Sequence, residues 1–295
     1  MKAAELAEYP FQPRYMHING QSMAYVDEGH GPVVVMVHGN PSWSYLYRNL
    51  ISALRGRYRC IAPDHLGCGF SAKPQDYPYR LHNHIDNLEQ LLDSLEIGRC
   101  VLVVHDWGGA IGLGWAGRHP ERVAGVVVLN TAAFPSRRLP FRIALCRWPL
   151  LGPFLVRGLN AFARAATFMA VSKRMSGAVA SGFLAPYDCW ANRIAIARFV
   201  QDIPMGPDHP SWSTLLAVER SLTHLQRCPL LLCWGGQDFC FNDTFYQEWC
   251  RRFPQIEAHY FPDANHYVLE DALPAIQPLI DSFLHRVTGG TADGL

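Results

Sequence analysis

The sequence predicts an α/β fold: a mostly parallel, doubly wound sheet into which a helical cap is inserted. Three observations predict it. Short apolar runs rich in Val, Ile and Leu alternate with stretches of helical spacing, the pattern of strands buried on both faces and joined by crossover helices. From Ser136 to about Leu225 the alternation lapses into helical stretches broken by Pro and Gly, with no convincing strand. It resumes at Pro229. The expected division is a core of 1–135 and 226–295 and a cap of 136–225. A chain of 295 residues, 49% of them apolar, has room for one large α/β domain or two smaller ones and a sizeable core.

Taken in order, Met1 to Arg14 is polar and Pro-punctuated and reads as an extended arm. Tyr15 to Ile18 and Ser22 to Asp27 flank Asn19-Gly20, a hairpin signal, and add an antiparallel edge. Val33 to Val37 is a buried strand ending in His38-Gly39-Asn40-Pro41, and Ser42 to Leu54 has helical spacing. Tyr58 to Ala62 is the next strand. The Gly-rich stretch Asp64 to Ser71 lacks the frame of a phosphate cradle and reads as a structural loop. His82 to Leu95 is a helix, Cys100 to Asp106 a strand, Ala110 to Gly117 a helix, and Val123 to Leu129 a strand. After the cap come a strand at Pro229 to Trp234, a helix at Asp243 to Arg252, a strand at Ile256 to Phe261 and a helix at Ala275 to Arg286. Thr288 to Leu295 reads as a disordered tail.

Composition excludes several classes. The formal net charge is +1 and no basic block exceeds a pair, which argues against a nucleic-acid partner. Nine cysteines are scattered without C-x-x-C or metal-type spacing, and Cys60, Cys100 and Cys233 fall in core strands. They read as reduced thiols of a cytoplasmic protein. Met1 to Tyr15 lacks the apolar segment of a signal peptide, and no apolar run reaches membrane-spanning length. No metal or cofactor is expected.

The chemistry centres on Val104-His105-Asp106-Trp107-Gly108-Gly109. An apolar β-branched run stops at Asp106 and a Gly pair opens a helix, the form of a sharp strand-to-helix turn that presents a nucleophile. An Asp there is ionised at neutral pH, needs no base, and can attack an alkyl carbon to leave an ester. A helix N-cap is the competing reading of Asp106. Two downstream loops favour the nucleophile: Gly235-Gly236-Gln237-Asp238 and Pro262-Asp263-Ala264-Asn265-His266 each follow a predicted strand. Asp106, Asp238 and His266 thus come in the order nucleophile, acid, base, each at a carboxyl strand end. His266 can activate a water against an Asp106 ester, and Asp238 can orient its ring and stabilise its cation. Asn40 and Trp107 each offer a neutral N–H for a leaving anion. His38 and His105 read as residues that order their loops.

Together these motifs resemble the haloalkane-dehalogenase branch of the α/β-hydrolases, over nearly the whole chain. The resemblance implies Asp106 as nucleophile, His266 as base, and Asn40 with Trp107 as the halide-stabilising pair. One subgroup carries a Glu acid where this chain has Asn130, so Asp238 takes that role. The combination is similar to a third subgroup, which includes β-lactone decarboxylases of bacterial long-chain olefin biosynthesis. Leu129 to Pro135, Trp190 to Arg193, Arg198 to Pro204 and His266 to Asp271 also resemble those decarboxylases. Asn265 departs from their usual Gly, but Asn also tolerates a left-handed backbone. The resemblance implies conversion of cis-β-lactones to cis-olefin and CO2, with a long-chain apolar substrate and assembly with other enzymes of that pathway. Haloalkane hydrolysis is the alternative. An epoxide hydrolase ranks third, since Asn40 stands where that branch usually has Phe. A ligand-binding hydrolase without turnover is the alternative of another class. Phe141 to Val171, rich in Leu, Phe, Ala, Trp and Met, fits an alkyl tunnel or plain packing equally well. A third reading is contact with a membrane surface through Arg142, Arg147, Arg157 and Arg164.

Overall fold

A computed structural model describes residues 3–289. Eight strands form one sheet: β1 (Arg14–Ile18), β2 (Gln21–Glu28), β3 (Val33–Val37), β4 (Arg59–Pro63), β5 (Cys100–Asp106), β6 (Val123–Thr131), β7 (Leu230–Gly235) and β8 (Glu257–Phe261). Their order is β1-β2-β4-β3-β5-β6-β7-β8. The hairpin β1–β2 is antiparallel and β2 runs antiparallel to β4; all later pairings are parallel. The chain steps from β3 outward to β4, then returns to β5 on the other side of β3. That reversal opens a crevice beyond the carboxyl ends of β3 and β5, where open α/β sheets take their ligands.

β5 and β6 are buried along their whole lengths because helices cover both faces. On one face lie α1 (Arg48–Leu54) and the last helix, Leu273–Val287; on the other lie α2 (Leu81–Ser94) and α3 (Trp107–Arg118). α2 sets Leu81, Ile85, Leu88, Leu91 and Leu92 on its inner face, each fully or almost fully buried. Burial at that level contributes about 1.5–3 kcal/mol per side chain. β8, at the sheet edge, instead alternates between half-buried and exposed residues.

Between Thr131 and Leu230 no strand occurs among the described residues. This stretch holds α4 (Phe141–Leu145), α5 (Leu151–Pro153), a π-turn at Phe154–Gly158, α6 (Ala161–Met169), α7 (Gly177–Leu184), α8 (Ile194–Gln201) and α9 (Trp212–Ser221). α9 packs against α2 and α3 on the face of the sheet. We therefore propose that the cap proper is carried by α4 to α8, and that the chain rejoins the core at α9.

Three details differ from the sequence reading. The N-terminal arm is docked: Phe11 and Tyr9 are buried, and the Tyr9 hydroxyl bonds Ser44 Oγ at 2.8 Å. The helix expected from Ser42 begins as a 3-10 turn at Ser44–Tyr47. β6 runs two residues beyond Leu129, for a reason that bears on the site. The tail reading from Thr288 falls, beyond Gly289, outside the described residues. Among the described residues no helix is long and apolar enough to cross a membrane.

Candidate active site

Asp106 ends β5 with φ +52°, a backbone state that costs a non-Gly residue about 1–3 kcal/mol and occurs where surrounding structure enforces it. Two close approaches enforce it here. A Cβ on Gly108 would stand 1.9 Å from the Val37 carbonyl oxygen, and one on Gly39 would stand 2.1 Å from Asp106 Oδ1. Only glycine lets the β3 loop and the start of α3 close around the carboxylate. The Thr131 hydroxyl, from β6, donates to the Asp106 carbonyl. The Asn40 backbone N–H donates to Asp106 Oδ1 at 2.6 Å, and the Trp107 backbone N–H adds a second hydrogen bond.

His266, in the loop after β8, directs Nε2 to within 3.7 Å of Asp106 Oδ2. Its Nδ1–H donates to Asp238 Oδ2 at 2.7 Å. Asp238, after β7, has a wholly buried side chain, and its other oxygen accepts from the Cys240 and Phe241 backbone N–H groups at 2.7 and 3.0 Å. Phe241 stacks on the His266 ring, centroids 5.7 Å apart. Asn40, Asp106, Trp107 and His266 line one end of a cavity of 330 Å³. Its remaining wall is mostly apolar and comes largely from the cap: Ile143, Leu155, Phe162, Ala166 and Met169 among others.

The alpha/beta hydrolase fold family matches residues 32–273. The chain belongs to the α/β-hydrolase family. Two relatives are each named cis-3-alkyl-4-alkyloxetan-2-one decarboxylase and are each 46% identical to it. The one from Shewanella oneidensis aligns over 93% of this chain and 89% of its own length. The one from Xanthomonas campestris pv. campestris aligns over 94% and 97%. Among solved structures, haloalkane dehalogenase DbeA from Bradyrhizobium elkani superposes with a TM-score of 0.87 at 25% identity, covering 95% of this chain and 100% of that one. Within the family the chain groups with the two decarboxylase relatives.

In this α/β-hydrolase, electrostatics separate Asp106 from its partner His266. Burial raises the Asp106 pKa, opposed by His266 and by the Asn40 and Trp107 N–H groups. A carboxylate so poorly solvated is a stronger nucleophile than one in water. Burial disfavours the His266 imidazolium, but Asp238 and Asp106 outweigh it and raise the His266 pKa. The ring is thereby biased toward the cation, beside two carboxylates.

The structure brings all five sequence-predicted residues, Asp106, Asp238, His266, Asn40 and Trp107, to the carboxyl edge of the sheet. Two further residues, to which the sequence assigned no role in the site, hold the edge together. In the β5–β6 ladder His105 pairs with Leu129 but Asp106 pairs with Thr131, so Asn130 is an extra, bulged residue with φ +34°. The bulge aims its carboxamide at β7. Asn130 Nδ2 donates to Asp238 Oδ2 at 3.0 Å and to the Gly235 carbonyl at 3.1 Å, and Oδ1 accepts from Gly235 N–H at 2.8 Å. Asn after an apolar run and before Thr131 was the available signal, since Asn readily takes a positive φ. Asp271 accepts hydrogen bonds from the Ser172, Lys173 and Asn265 backbone N–H groups, tying the cap to the His266 loop.

His38, His65, His84 and His105 are buried behind the site. His38 Nε2 accepts from the His65 N–H at 3.0 Å, so its proton sits on Nδ1, which donates to the Gly39 carbonyl at 2.7 Å. His105 Nε2–H donates to the His266 carbonyl at 2.8 Å. His84 stacks on Phe199, which in turn packs on Trp107. Burial holds His38, His84 and His105 well below the usual range and His65 down to about 4. These rings are neutral scaffolding that orders the loops.

Proposed function

We propose that this α/β-hydrolase decarboxylates cis-3-alkyl-4-alkyloxetan-2-ones to a cis-olefin and CO2, with Asp106 as nucleophile. The observation that carries this is the 46% identity to two decarboxylase-named relatives over nearly the full chain. A mostly apolar cavity with a carboxylate at one end suits a dialkyl lactone, whose only polar part is the ring.

The geometry suggests the steps. Asp106 attacks the alkyl carbon that bears the ring oxygen, with inversion, and that C–O bond breaks to free a carboxylate. The side-chain N–H groups of Asn40 and Trp107 receive the new anion. Ring and inversion together set the Asp106 ester opposite the carboxylate, close to antiperiplanar. The bond to the carboxyl carbon then breaks, CO2 leaves, its electron pair forms the olefin, and Asp106 departs with both original oxygens. The product is cis without bond rotation and no water is consumed. His266, held toward the cation by Asp238, stabilises the departing Asp106 carboxylate.

Hydrolysis of a long-chain haloalkane is the second reading, favoured by the likeness to a haloalkane dehalogenase. There the ester has no carboxylate beside it, so His266 must activate water, and a solvent oxygen enters Asp106. Turnover of a synthetic cis-β-lactone in heavy-oxygen water separates the two. The expected result is CO2 release with no label in the Asp106 peptide. Label accumulating in Asp106 defeats direct elimination, and absence of turnover defeats the decarboxylase reading. Nine unpaired cysteines suit a reducing, cytoplasmic setting. Other enzymes of olefin synthesis are the protein partners this reading implies.

A further inference from the structure

The cap has two sides of opposite use. Its inner side lines the cavity. Its outer side leaves Phe141 72% exposed, Trp148 58%, Leu150 88%, Phe154 56%, Leu159 51% and Phe168 64%. Six large apolar side chains at such exposure, within one stretch of 28 residues, are not the scattered exposure of an ordinary surface. Leu150, the most exposed of them, is held at φ +66°, so strained backbone presents an apolar side chain to solvent. Elsewhere in the chain, residues of this size sit mostly in the core.

Charge is arranged around the same stretch. Residues 136–187 contain eight Lys and Arg and no Asp or Glu. The whole chain sums to +1, so this segment carries +8 and the remainder carries −7. Arginines of the core have carboxylate partners: Arg48 with Glu270, Arg59 with Asp27, Arg80 with Asp202, Arg252 with Glu219. None of the eight cations of residues 136–187 forms an ion pair among the described residues. Arg157 lies over the exposed Trp190 ring, so a cation and an apolar ring meet at this surface.

We propose that the outer face of the cap binds an anionic lipid surface. Trp148, Leu150, Phe154 and Phe168 enter the acyl boundary while Arg147, Arg157 and Arg164 meet the phosphates, the combination that seats peripheral proteins. A protein partner or second copy explains the apolar part as well. Unpaired cations in a segment without a carboxylate fit a surface of dense, uniform negative charge. Ile143, Leu155 and Phe162, which line the cavity, share their helical segments with the exposed Phe141, Phe154 and Phe168, so an alkyl substrate passes between lipid and Asp106 through the cap. The passage of substrate rests on the decarboxylase reading; the binding of lipid does not.

The test is co-sedimentation of the full chain with vesicles of phosphatidylglycerol and phosphatidylcholine, and with phosphatidylcholine alone. Wild type is expected to pellet with the anionic vesicles, to remain in solution with the neutral ones, and to be released by high salt. Leu150→Glu, Phe168→Glu and Arg164→Glu lie outside the cavity lining. Each is expected to weaken binding by roughly five-fold or more and to leave turnover of a short-chain lactone unchanged. Equal recovery with and without anionic vesicles overturns the proposal, as does binding that ignores lipid charge and salt. Self-association of wild type in vesicle-free sedimentation, dispersed by the same substitutions, also overturns it and assigns the face to a second copy. Because wild type alone gives the lipid-charge and salt readouts, misfolding of a variant leaves the test intact. Vesicle binding needs no turnover, so its failure is distinct from failure of the decarboxylase reading.

Discussion

At the carboxyl edge of the sheet Asp238 accepts four hydrogen bonds, Asp106 is held by two backbone N–H groups, and His266 is fixed by Asp238 beneath and Phe241 above. Across the cavity, the cap segment 141–169 contributes Ile143, Phe162 and Ala166 to a wall that is mostly apolar. The two walls of one cavity therefore constrain a substrate differently. The sheet edge fixes atoms to within a bond length, as a reaction requires. The cap sets only volume and polarity, which is enough to hold alkyl chains.

The contrast is broken most directly at Asp106. Asp106→Ala is expected to lower turnover by at least about 10⁴-fold while circular dichroism stays native. Wild type incubated with a reactive long-chain haloalkane is expected to gain the alkyl mass on the Asp106 peptide. An adduct on Cys240 or His266 instead would remove Asp106 from the centre of the site. Next come the anion donors: Asn40→Ala and Trp107→Phe are each expected to cost roughly ten- to a thousand-fold in kcat. Wild-type rates in both variants place the leaving anion elsewhere.

A smaller effect is expected at Asn130. Removing its carboxamide in Asn130→Ala deprives Asp238 of one of four hydrogen bonds, worth about 1–2 kcal/mol and hence about ten-fold in kcat. KM is expected to hold, and the pH–rate profile is expected to shift because Asp238 no longer biases His266 to the same degree. A merely structural loss would lower stability without moving that profile. The mildest change is on the cap. Ala166→Phe is expected to shift preference toward shorter alkyl chains by about three- to ten-fold, with alkylation of Asp106 by a short haloalkane unaffected. Competition between lactones of different chain length measures it, and an unchanged preference shows that this wall does not set length.

The same contrast governs what could be read in the sequence. Asp106, Asp238 and His266 were legible because each follows an apolar strand run, and parallel topology sends every such end to one edge. Asn40 was legible for the same reason, after Val37. Asn130 was not: a bulge is a register event between two strands, and a single run of letters ending in Leu129 carries no register. Asp271 was passed over because its three backbone donors come from Asn265 and from Ser172 and Lys173, remote in sequence. In the cap, Ile143 faces the cavity and Phe141 faces away. Helices of five residues or fewer, broken by Pro149 and Pro153, have too little periodicity to tell inside from outside.

The four neutral histidines behind the site tie the integrity of the nucleophile loops to proton concentration. His65 has a folded pKa of about 4 against about 6.5 in an unfolded chain. Below about pH 6.5 the unfolded state takes up a proton that the folded state refuses, so stability falls as pH falls and levels off only near the folded value. His65 alone accounts for up to about 3 kcal/mol over that window. His38, His84 and His105 act in the same direction. His266 has the opposite sign, its stabilisation fading as pH rises through its raised pKa. The melting temperature is therefore expected to drop steeply between neutral pH and pH 5, and His65→Asn is expected to flatten that drop. With His38 and His65 bracketing the loop that carries Asn40, acid should dismantle the anion site before the rest of the sheet, so that exposure to low pH erases catalysis ahead of fold.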